Sequence, residues 1–366
     1  MQAVVARRRQ LVVEEIDDPV PGAGDVLVAV RACGICGSDL HTLDHAEHLA
    51  EVGAAMGADL AFDPQADYVL GHEWCAEVLE LGPGSGSGEA PIKPGDLVVS
   101  VPYLLRGEAL IPLGFSNDLP GGFAERMLLS TALCLPVPNG LDHRRAALTE
   151  PMAVGLHTIA RAGLRDGDAA VVIGCGPIGL AIIAWLAARG VETIVAGDFS
   201  EQRRALASAM GAHEVVDPRE EPVVDAWRRV DGLRPLVLFE AVGVPGMLDQ
   251  AVFDAPARSR IVVAGVCMQP DTFRPLIAVI KELDFHFVYA YDADEFAATL
   301  RAIAEGDVDV TPLITGTVGF EGVADAFTTL RRADDHVKVL VEPGGPPTVT
   351  PISRTPTSPT PTDAQP

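Results

Sequence analysis

The sequence predicts an α/β protein in which a β-rich domain is joined to a doubly wound parallel sheet. The chain has 366 residues, of which 48% are apolar, and a chain of this length is expected to divide into two cores. Up to about residue 161, short β-branched runs are separated by Pro-Gly and Gly-Pro pairs, a pattern that favours an antiparallel, barrel-like domain. From Ala169 onward, short apolar strands alternate with amphipathic helices, as a parallel sheet covered on both faces requires.

The individual elements follow this division. In the first part, the runs VLVAV (residues 26–30) and DLVVS (96–100) predict strands, because β-branched side chains pack well on a pleated sheet. In the second part, the strand AAVVI (169–173) is followed by the helix-forming segment IGLAIIAWLAARG and then by the strand TIVAGD. A helix is predicted over residues 293–305 and a strand over residues 337–341.

These elements predict the domain bounds. Residues 1–160 and 293–341 form the β-rich domain, to which the chain returns after residues 161–292 have formed a nucleotide-binding domain. Residues 342–366 are dense in proline and threonine and have no apolar periodicity. Because such a segment cannot bury enough surface to order itself, it is predicted to be a disordered tail.

Charge and cysteine content limit the classes of partner. A formal net charge of −24 opposes binding to nucleic acid or to anionic membranes. No long apolar run is present, and the first residues become acidic where a signal peptide would need an apolar stretch, so we expect a cytoplasmic protein that does not enter a membrane. Six scattered cysteines argue against a disulfide framework, although Cys33 and Cys36 have the spacing of a redox dithiol.

A glycine motif follows the first strand of the second domain. In Gly174-Cys175-Gly176-Pro177-Ile178-Gly179, the first glycine allows the tight strand-to-helix turn, the second lets a pyrophosphate approach the backbone, and the third permits close packing of helix on strand. Amides at the start of the helix then face the phosphates. The motif therefore predicts a dinucleotide site, which includes Pro177 and Ile178.

Asp198 ends the next strand, about 20 residues after the motif, where the acid that binds the adenosine ribose is expected. Its carboxylate accepts hydrogen bonds from ribose hydroxyls and repels a 2′-phosphate, which predicts NAD rather than NADP. Arg203, with Arg204 beside it, favours NADP instead, since a guanidinium can accommodate the 2′-phosphate. The alternative for Asp198 is to cap the helix that follows.

Four more residues are predicted to contact the cofactor. Gly243, Gly265 and Val266 end later strands of the sheet, where the cleft of such a fold lies. Lys338 is one of only three lysines and is a candidate for a cofactor phosphate, with a charge at a strand edge as the alternative.

Cys36, His72 and Glu150 are predicted to hold a catalytic zinc ion. A thiolate, an imidazole and a carboxylate from distant parts of the chain suit an open site with three protein ligands. Asp39 is predicted to accept the other imidazole N–H of His72 and so fix its tautomer. Glu73 follows His72 directly, so on an extended strand its side chain is expected to point elsewhere, as a neighbour of the metal or an exchanging ligand. Each of the three predicted ligands also has a purely structural alternative. Cys36 is then a small buried thiol, His72 a hydrogen-bonded core histidine, and Glu150 a carboxylate at the start of a helix.

The order of these motifs resembles the zinc-containing medium-chain alcohol dehydrogenase family. CGICGSDLH begins at Cys33, GHE at Gly71, TEPMAVGLH at Thr149 and the glycine motif at Gly174. The resemblance covers residues 1–341 and is closest to the branch that contains sorbitol and threonine dehydrogenases.

This resemblance implies a GroES-like domain beside a Rossmann domain, with NAD(P) in the cleft and hydride transfer between the cofactor and an alcohol or carbonyl substrate. A secondary alcohol or polyol is the expected substrate. The resemblance also implies a proton relay through Ser38 and His41, and a homodimer or homotetramer.

The sequence departs from the family pattern in two places. Residues 99–123 lack the four cysteines that bind structural zinc in many relatives, so one catalytic zinc and no structural zinc is predicted. Residues 42–70 form a longer segment than usual, which we interpret as an acidic solvated helix, with a lining of the substrate entrance as the alternative. The alternative functions are a zinc-dependent aldehyde or formaldehyde dehydrogenase or dismutase, and a non-catalytic nucleotide-binding protein.

Overall fold

A computed structural model describes residues 1–55, 62–85, 92–332 and 336–351 of the chain. The strands in these ranges are β1 (Gln2–Arg7), β2 (Gln10–Glu15), β3 (Asp25–Gly34), β4 (Tyr68–Val69), β5 (Glu73–Leu81), β6 (Leu97–Ser100), β7 (Tyr103–Arg106), β8 (Ala109–Pro112), β9 (Arg126–Ser130), β10 (Cys134–Pro136), β11 (Ala169–Ile173), β12 (Ile194–Gly197), β13 (Glu214–Val216), β14 (Leu236–Glu240), β15 (Arg260–Val263), β16 (Asp284–Phe287), β17 (Ile314–Val318), β18 (Lys338–Val341) and β19 (Thr350–Pro351). The helices are α1 (Gly37–Ala55), α2 (His143–Ala147), α3 (Thr149–Arg161), α4 (Pro177–Ala188), α5 (Glu201–Ala209), α6 (Val223–Val230), α7 (Met247–Asp254), α8 (Pro275–Lys281), α9 (Ala293–Glu305) and α10 (Val323–Leu330).

The larger sheet of the β-rich part is built around β3. In the described residues its order is β10-β6-β5-β3-β18-β17-β19, and β9 also pairs with β3. Side chains from β3, β5 and β9, such as Val28, Val78 and Met127, meet in one buried core. The pairs that β3 makes with its neighbours are antiparallel, as the sequence predicts for the β-rich domain.

The second sheet is parallel throughout and has the order β13-β12-β11-β14-β15-β16 among the described residues. Its central strand β11 is buried at every position, and helix α4 behind it is apolar on nearly all sides. A strand covered by helices on both faces has no solvent side, which explains why its sequence does not alternate. The predicted combination of a β-rich domain with a doubly wound Rossmann domain is confirmed.

The chain returns to the first sheet after the parallel one. Strands β17 and β18 are parallel to each other, and β18 pairs antiparallel with β3. Helix α9 has the bounds expected from the sequence, 293–305, and its buried side chains Phe296, Leu300 and Ile303 join the core that contains α3 and α4. The predicted domain bounds remain a proposal.

The predicted disordered tail is wrong for residues 342–351. Thr350 pairs with Thr317 of β17 to form β19, and the amide of Gly319 donates to the carbonyl of Pro346 at 2.6 Å. The backbone groups of this segment are paired by the otherwise open edge of β17. The segment is therefore ordered by another strand, although its own side chains bury little surface. Residues 352–366, the rest of the predicted tail, lie outside the described residues.

The acidic segment after Cys36 forms α1, which has a non-helical residue at His45. Its acids face basic side chains of neighbouring elements: Asp44 pairs with Arg331 at 2.8 Å and Glu47 with Arg9 at 2.9 Å. Such partly exposed pairs agree with the interpretation of residues 42–55 as a solvated helix. The interpretation is wrong for residues 62–70, where no helix forms and Tyr68–Val69 make strand β4; residues 56–61 lie outside the described part of the chain. No described helix has the length and apolar character needed to cross a membrane.

Candidate active site

Three potential metal ligands converge where β3 ends and β5 begins. Cys36 follows β3, His72 lies just ahead of β5, and Glu73 is the first residue of β5. One ligand atom from each lies within 4.8 Å of the other two. The expectation that Glu73 points away from His72 is wrong, because His72 precedes the strand and the alternation of an extended segment does not apply to this pair.

The His72 ring is held from both nitrogens. Its Nδ1 lies 3.2 Å from Asp39 Oδ1, and its Nε2 lies 3.2 Å from Ser38 Oγ. Asp39 is itself fixed, since it accepts from the amides of Cys36 at 2.8 Å and Gly71 at 3.2 Å. Burial opposes a charge on His72, but the carboxylate of Asp39 outweighs it and holds the pKa of His72 well above its ordinary value. Asp39 therefore orients the ring with Nε2 toward the cluster.

Glu73 forms an ion pair with Lys338 in the interior. Lys338 Nζ donates to both carboxylate oxygens at 2.7 Å and to the carbonyl of Ile35 at 3.1 Å. Burial lowers the pKa of Lys338, but Glu73 more than offsets this and the pKa is raised. The prediction that Lys338 meets a cofactor phosphate is wrong, and so is its strand-edge alternative, because β18 lies inside the sheet between β3 and β17.

Glu150 approaches the same site from another element. It lies in the first turn of α3 but is not one of the three residues whose ligand atoms lie within 4.8 Å of one another. Burial raises the pKa of Glu150 to about 7, an effect that the positive charge of His72 reduces and the negative charge of Glu73 increases. No ion pair of Glu150 exists among the described residues, so it is the less constrained of the two carboxylates.

His41 lies one helical turn after Ser38 on α1 and is partly buried. Burial lowers the pKa of His41, and the neighbouring His45 lowers it further, while Asp44 acts in the opposite direction. Its imidazole is therefore neutral over a wider pH range than that of a free histidine. A neutral imidazole is the form that accepts a proton.

The glycine motif forms the turn between β11 and α4. Gly174 has a φ of +92°, and a Cβ on Gly179 would lie 1.9 Å from the carbonyl oxygen of Gly174. By contrast, the nearest atom to a Cβ on Gly176 is Arg203 Nη1 at 3.9 Å. The first and third glycines are therefore required by the turn itself, whereas the space at Gly176 is available to a phosphate ahead of α4, at whose start Pro177 and Ile178 lie.

Asp198 follows β12, with its carboxylate turned toward the glycine turn. Its Oδ2 accepts from the amide of Cys175, and its Oδ1 accepts from the amide of Ser200, both at 2.8 Å. Ser200, not Asp198, is the N-cap of α5, so the capping alternative for Asp198 is wrong. Arg203 Nη1 lies 4.0 Å from Asp198 Oδ2, whereas Arg204 is engaged with Asp217 at 3.1 Å.

A cavity of about 280 Å³ opens at the carboxyl ends of β14 and β15. Gly243 and Gly265 line it, and buried Glu240 accepts from the amides of Val242 at 2.7 Å and Gly243 at 2.9 Å. Val266 follows Gly265 and is largely exposed. The three predicted residues 243, 265 and 266 thus lie at the sheet edge where dinucleotides bind in such folds.

Comparison with known proteins identifies the family. Residues 22–139 match the model of the alcohol dehydrogenase GroES-like domain, and residues 177–305 match that of the zinc-binding dehydrogenases. The (R,R)-butanediol dehydrogenase of Neisseria gonorrhoeae is 30% identical over 90% of this chain and 96% of its own length. The chain belongs to the zinc-containing medium-chain alcohol dehydrogenase family.

Other relatives of this dehydrogenase agree. Sorbitol dehydrogenase of Gallus gallus is 27% identical over 93% of this chain and 96% of its own. The crystal structure of 2R,3R-butanediol dehydrogenase from Bacillus subtilis has a TM-score of 0.79 and 30% identity, and covers 93% of this chain and 99% of that one. A Sinorhizobium meliloti 1021 protein bound to NADP has a TM-score of 0.80 and 27% identity, again covering 93% and 99%.

This alcohol dehydrogenase is therefore an oxidoreductase that acts on CH–OH groups, and its cofactors are zinc and a nicotinamide dinucleotide. The predicted function class is confirmed. Neither alternative function is favoured, because the named relatives are alcohol and polyol dehydrogenases.

Sequence reasoning missed two contributors to the alcohol dehydrogenase site. The partner of Glu73 is Lys338, and the one available signal was an isolated lysine in the apolar run VKVLV, which needs a buried counter-charge. The second contributor is Tyr291, whose hydroxyl affects the pKa of Glu150. Nothing in the sequence around Tyr291 pointed to the metal site.

Proposed function

We propose that this protein oxidises a secondary alcohol or polyol with NAD, using one zinc ion held by Cys36, His72 and Glu150. The observation that carries this proposal is the convergence of the Cys36 thiol and the His72 imidazole, oriented by Asp39, in a chain whose parallel sheet carries a glycine turn suited to a dinucleotide. Thiolate, imidazole and carboxylate form a donor set that suits zinc. Glu73 lies beside these ligands and is neutralised by Lys338.

Bound zinc supplies a Lewis acid that lowers the proton affinity of an alcohol oxygen. The residues of the chain orient the substrate and move its proton. Ser38 Oγ contacts His72 Nε2 at 3.2 Å; with that nitrogen on a metal, the Ser38 hydroxyl would accept the proton of the alcohol while releasing its own proton toward His41. His41, further along α1, would take up that proton and pass it to solvent.

The choice of NAD over NADP rests on Asp198. Its carboxylate lies beside the glycine turn, where a negative charge favours ribose hydroxyls and repels a 2′-phosphate. Arg204 is engaged with Asp217 and with the carbonyl of Asp198, which leaves Arg203 as the nearest cation to the ribose position. One arginine beside an aspartate supports a preference for NAD.

We further propose that two copies associate through the β16 edge of the parallel sheet. On the neighbouring helix α8, the side chains of Leu276, Val279 and Ile280 are each about 70% exposed, and Phe287 at the end of β16 is also exposed. A patch of this kind next to an open strand edge favours burial against a second copy. A homodimer is the simplest assembly, and a homotetramer pairs two of them; the cytoplasm remains our prediction for its location.

Metal content measured together with NADH formation tests the proposed function. The wild type should contain one zinc per chain and form NADH with vicinal diols or polyols from a panel that also includes simple alcohols and aldehydes. Cys36→Ser should lose both the metal and the activity, whereas the control Cys134→Ala, a buried thiol in β10, should keep both. Stoichiometric zinc and normal turnover in Cys36→Ser would overturn the assignment.

A further inference from the structure

Phe115 packs its ring against His72. The two ring centroids lie 5.2 Å apart, and the ring planes are tilted by 38°. His72 is buried, whereas Phe115 remains partly accessible to solvent. Part of an aromatic surface is therefore accessible directly beside a proposed zinc ligand, and the proposed proton pathway does not use it.

The hairpin formed by β7 and β8 carries the chain to Phe115. Leu104 of β7 is fully buried, and Arg106 at the end of β7 pairs with Asp25 of β3 at 2.6 Å. The side chain of Asp25 is itself only 2% exposed, so this pair ties the hairpin to the larger sheet. Phe115 follows the end of β8 by three residues and therefore extends from a fixed base.

Glycines hold the loop after β8 against the segment that leads into His72. A Cβ on Gly114 would lie 2.7 Å from the carbonyl oxygen of Gly71, and a Cβ on Gly121 would lie 2.5 Å from that of Leu70. Because a real Cβ does not approach a carbonyl oxygen so closely, these contacts are possible only where the side chain is absent. The backbone of the loop thus lies directly on residues 70–71, which keeps the aromatic ring on the imidazole.

The position of this ring limits what a substrate can place beside it. A substrate whose oxygen takes the open position of a catalytic zinc brings its carbinol carbon close to the metal ligands. An aromatic face cannot replace the hydrogen bonds that a hydroxyl makes to water, whereas it packs well on an alkyl group. The substituent next to Phe115 is therefore expected to be apolar.

We propose that Phe115 forms an apolar wall of the substrate site and selects secondary alcohols that carry an alkyl group on one side of the carbinol carbon. Vicinal diols with an alkyl end belong to this class, whereas polyols with a hydroxymethyl group on both sides are disfavoured. The inference deepens the proposed function and rests on it, because it takes His72 as a zinc ligand beside the reacting alcohol.

Oxidation of 1,2-butanediol and glycerol at the second carbon tests this wall. The two substrates differ only in one terminal group, which is a methyl in the diol and a hydroxyl of similar size in glycerol. We expect the wild type to have a kcat/KM at least about tenfold higher for 1,2-butanediol, because an apolar pocket disfavours an added hydroxyl by about 10- to 100-fold. Phe115→Ala should lower this ratio about tenfold, whereas Phe115→Leu should retain it. Identification of the ketone product shows which carbon has reacted.

Leu110→Ala is the matched control, because it shortens a 57% exposed side chain of β8 in the same hairpin and should leave the ratio within about twofold. A second readout does not depend on turnover. With NADH bound, an alcohol binds but has no hydride acceptor, so its dissociation constant can be measured from the NADH fluorescence. Phe115→Ala should weaken the binding of 1,2-butanediol about tenfold, change that of glycerol little, and keep one zinc per chain.

An unchanged ratio in Phe115→Ala overturns the inference. An equal loss for both alcohols, or a loss of zinc, also overturns it, because Phe115 would then only support His72. A zinc-containing wild type that shows no preference for 1,2-butanediol overturns the inference but leaves the proposed function in place. If the wild type contains no zinc and forms no NADH with any alcohol of the panel, the proposed function itself fails, and the inference fails with it.

Discussion

Lys338 donates to both carboxylate oxygens of Glu73 at 2.7 Å, and neither side chain is more than 1% exposed. The two residues are 265 positions apart and meet because β18 and β5 both flank β3. Attraction between buried charges offsets the cost of removing them from water only while both partners are present. The pair therefore allows a second carboxylate to exist beside the predicted zinc ligands without an unbalanced negative charge.

Removal of one partner of the Glu73–Lys338 pair should lower the free energy of unfolding. We expect Lys338→Met to destabilise the metal-free protein by about 3–5 kcal/mol, because Glu73 is left charged and buried. The matched control is Lys93→Met, whose ammonium is exposed and paired with Asp96, and which should change the unfolding free energy by less than about 1 kcal/mol. Denaturant unfolding measures both.

The double variant Lys338→Met/Glu73→Gln should recover much of the loss, because it removes the charge on each side. Equal losses in the single and double variants would show that the side chain of Lys338 matters for packing and not for its charge.

Two glycines of the dinucleotide motif, Gly176 and Gly179, should respond differently to substitution. Gly179→Ala should prevent the correct strand-to-helix turn, because its methyl group would lie 1.9 Å from the carbonyl oxygen of Gly174, and we expect a poorly folded protein. Gly176→Ala meets no atom closer than 3.9 Å and should fold normally, yet bind NAD at least about tenfold more weakly, since its methyl group occupies the approach of the pyrophosphate. Melting temperature and NAD titration distinguish the two; a Gly176→Ala variant with normal NAD affinity would contradict this placement of the phosphates.

The parallel sheet was predictable because its signal is local, and the Cys36–His72 pair because both residues lie in motifs whose order resembles a known family. Strand β11 is five apolar residues followed directly by its glycine motif, and Asp39 reaches His72 from a position three residues after Cys36. The Glu73–Lys338 pair was not predictable, because only the order of strands in the sheet brings β18 and β5 to either side of β3. Residues 342–351 are likewise ordered by a distant element, the open edge of β17. Their own composition carries no information about that edge, so the order could not be predicted from it.

Asp198 should control both the preference for NAD and the shape of the glycine turn. We expect Asp198→Ser to lower kcat/KM for NAD by at least about tenfold and to reduce the discrimination against NADP, because the charge that repels a 2′-phosphate is lost while Arg203 remains. Kinetics with both cofactors measure the ratio. The control is Asp217→Ser, which removes the ion-pair partner of Arg204 but leaves the ribose acid in place, so NAD should still be preferred. An unchanged NAD to NADP ratio in Asp198→Ser would leave Asp198 with only the two backbone hydrogen bonds that hold the turn.

His41 should determine how alcohol oxidation responds to acid. Because burial and then His45 lower the pKa of His41, its imidazole stays neutral and able to accept a proton as the pH falls below the ordinary histidine value, and activity should decline only when the pH passes through this lowered pKa. His41→Gln removes the acceptor, so kcat/KM for oxidation should fall about tenfold or more at low pH and approach the wild type at high pH, where hydroxide accepts the proton.

Two variants on the same helix sharpen the test of His41. His45→Gln removes a neighbour that lowers the pKa of His41 and leaves Asp44, which raises it, so the acidic limb of the profile should move to higher pH. His48→Gln alters an exposed side chain that faces Glu51 and should leave the profile unchanged. If the limb stays in place in both His41→Gln and His45→Gln, proton release does not pass through His41, and Ser38 must deliver the proton to solvent by another route.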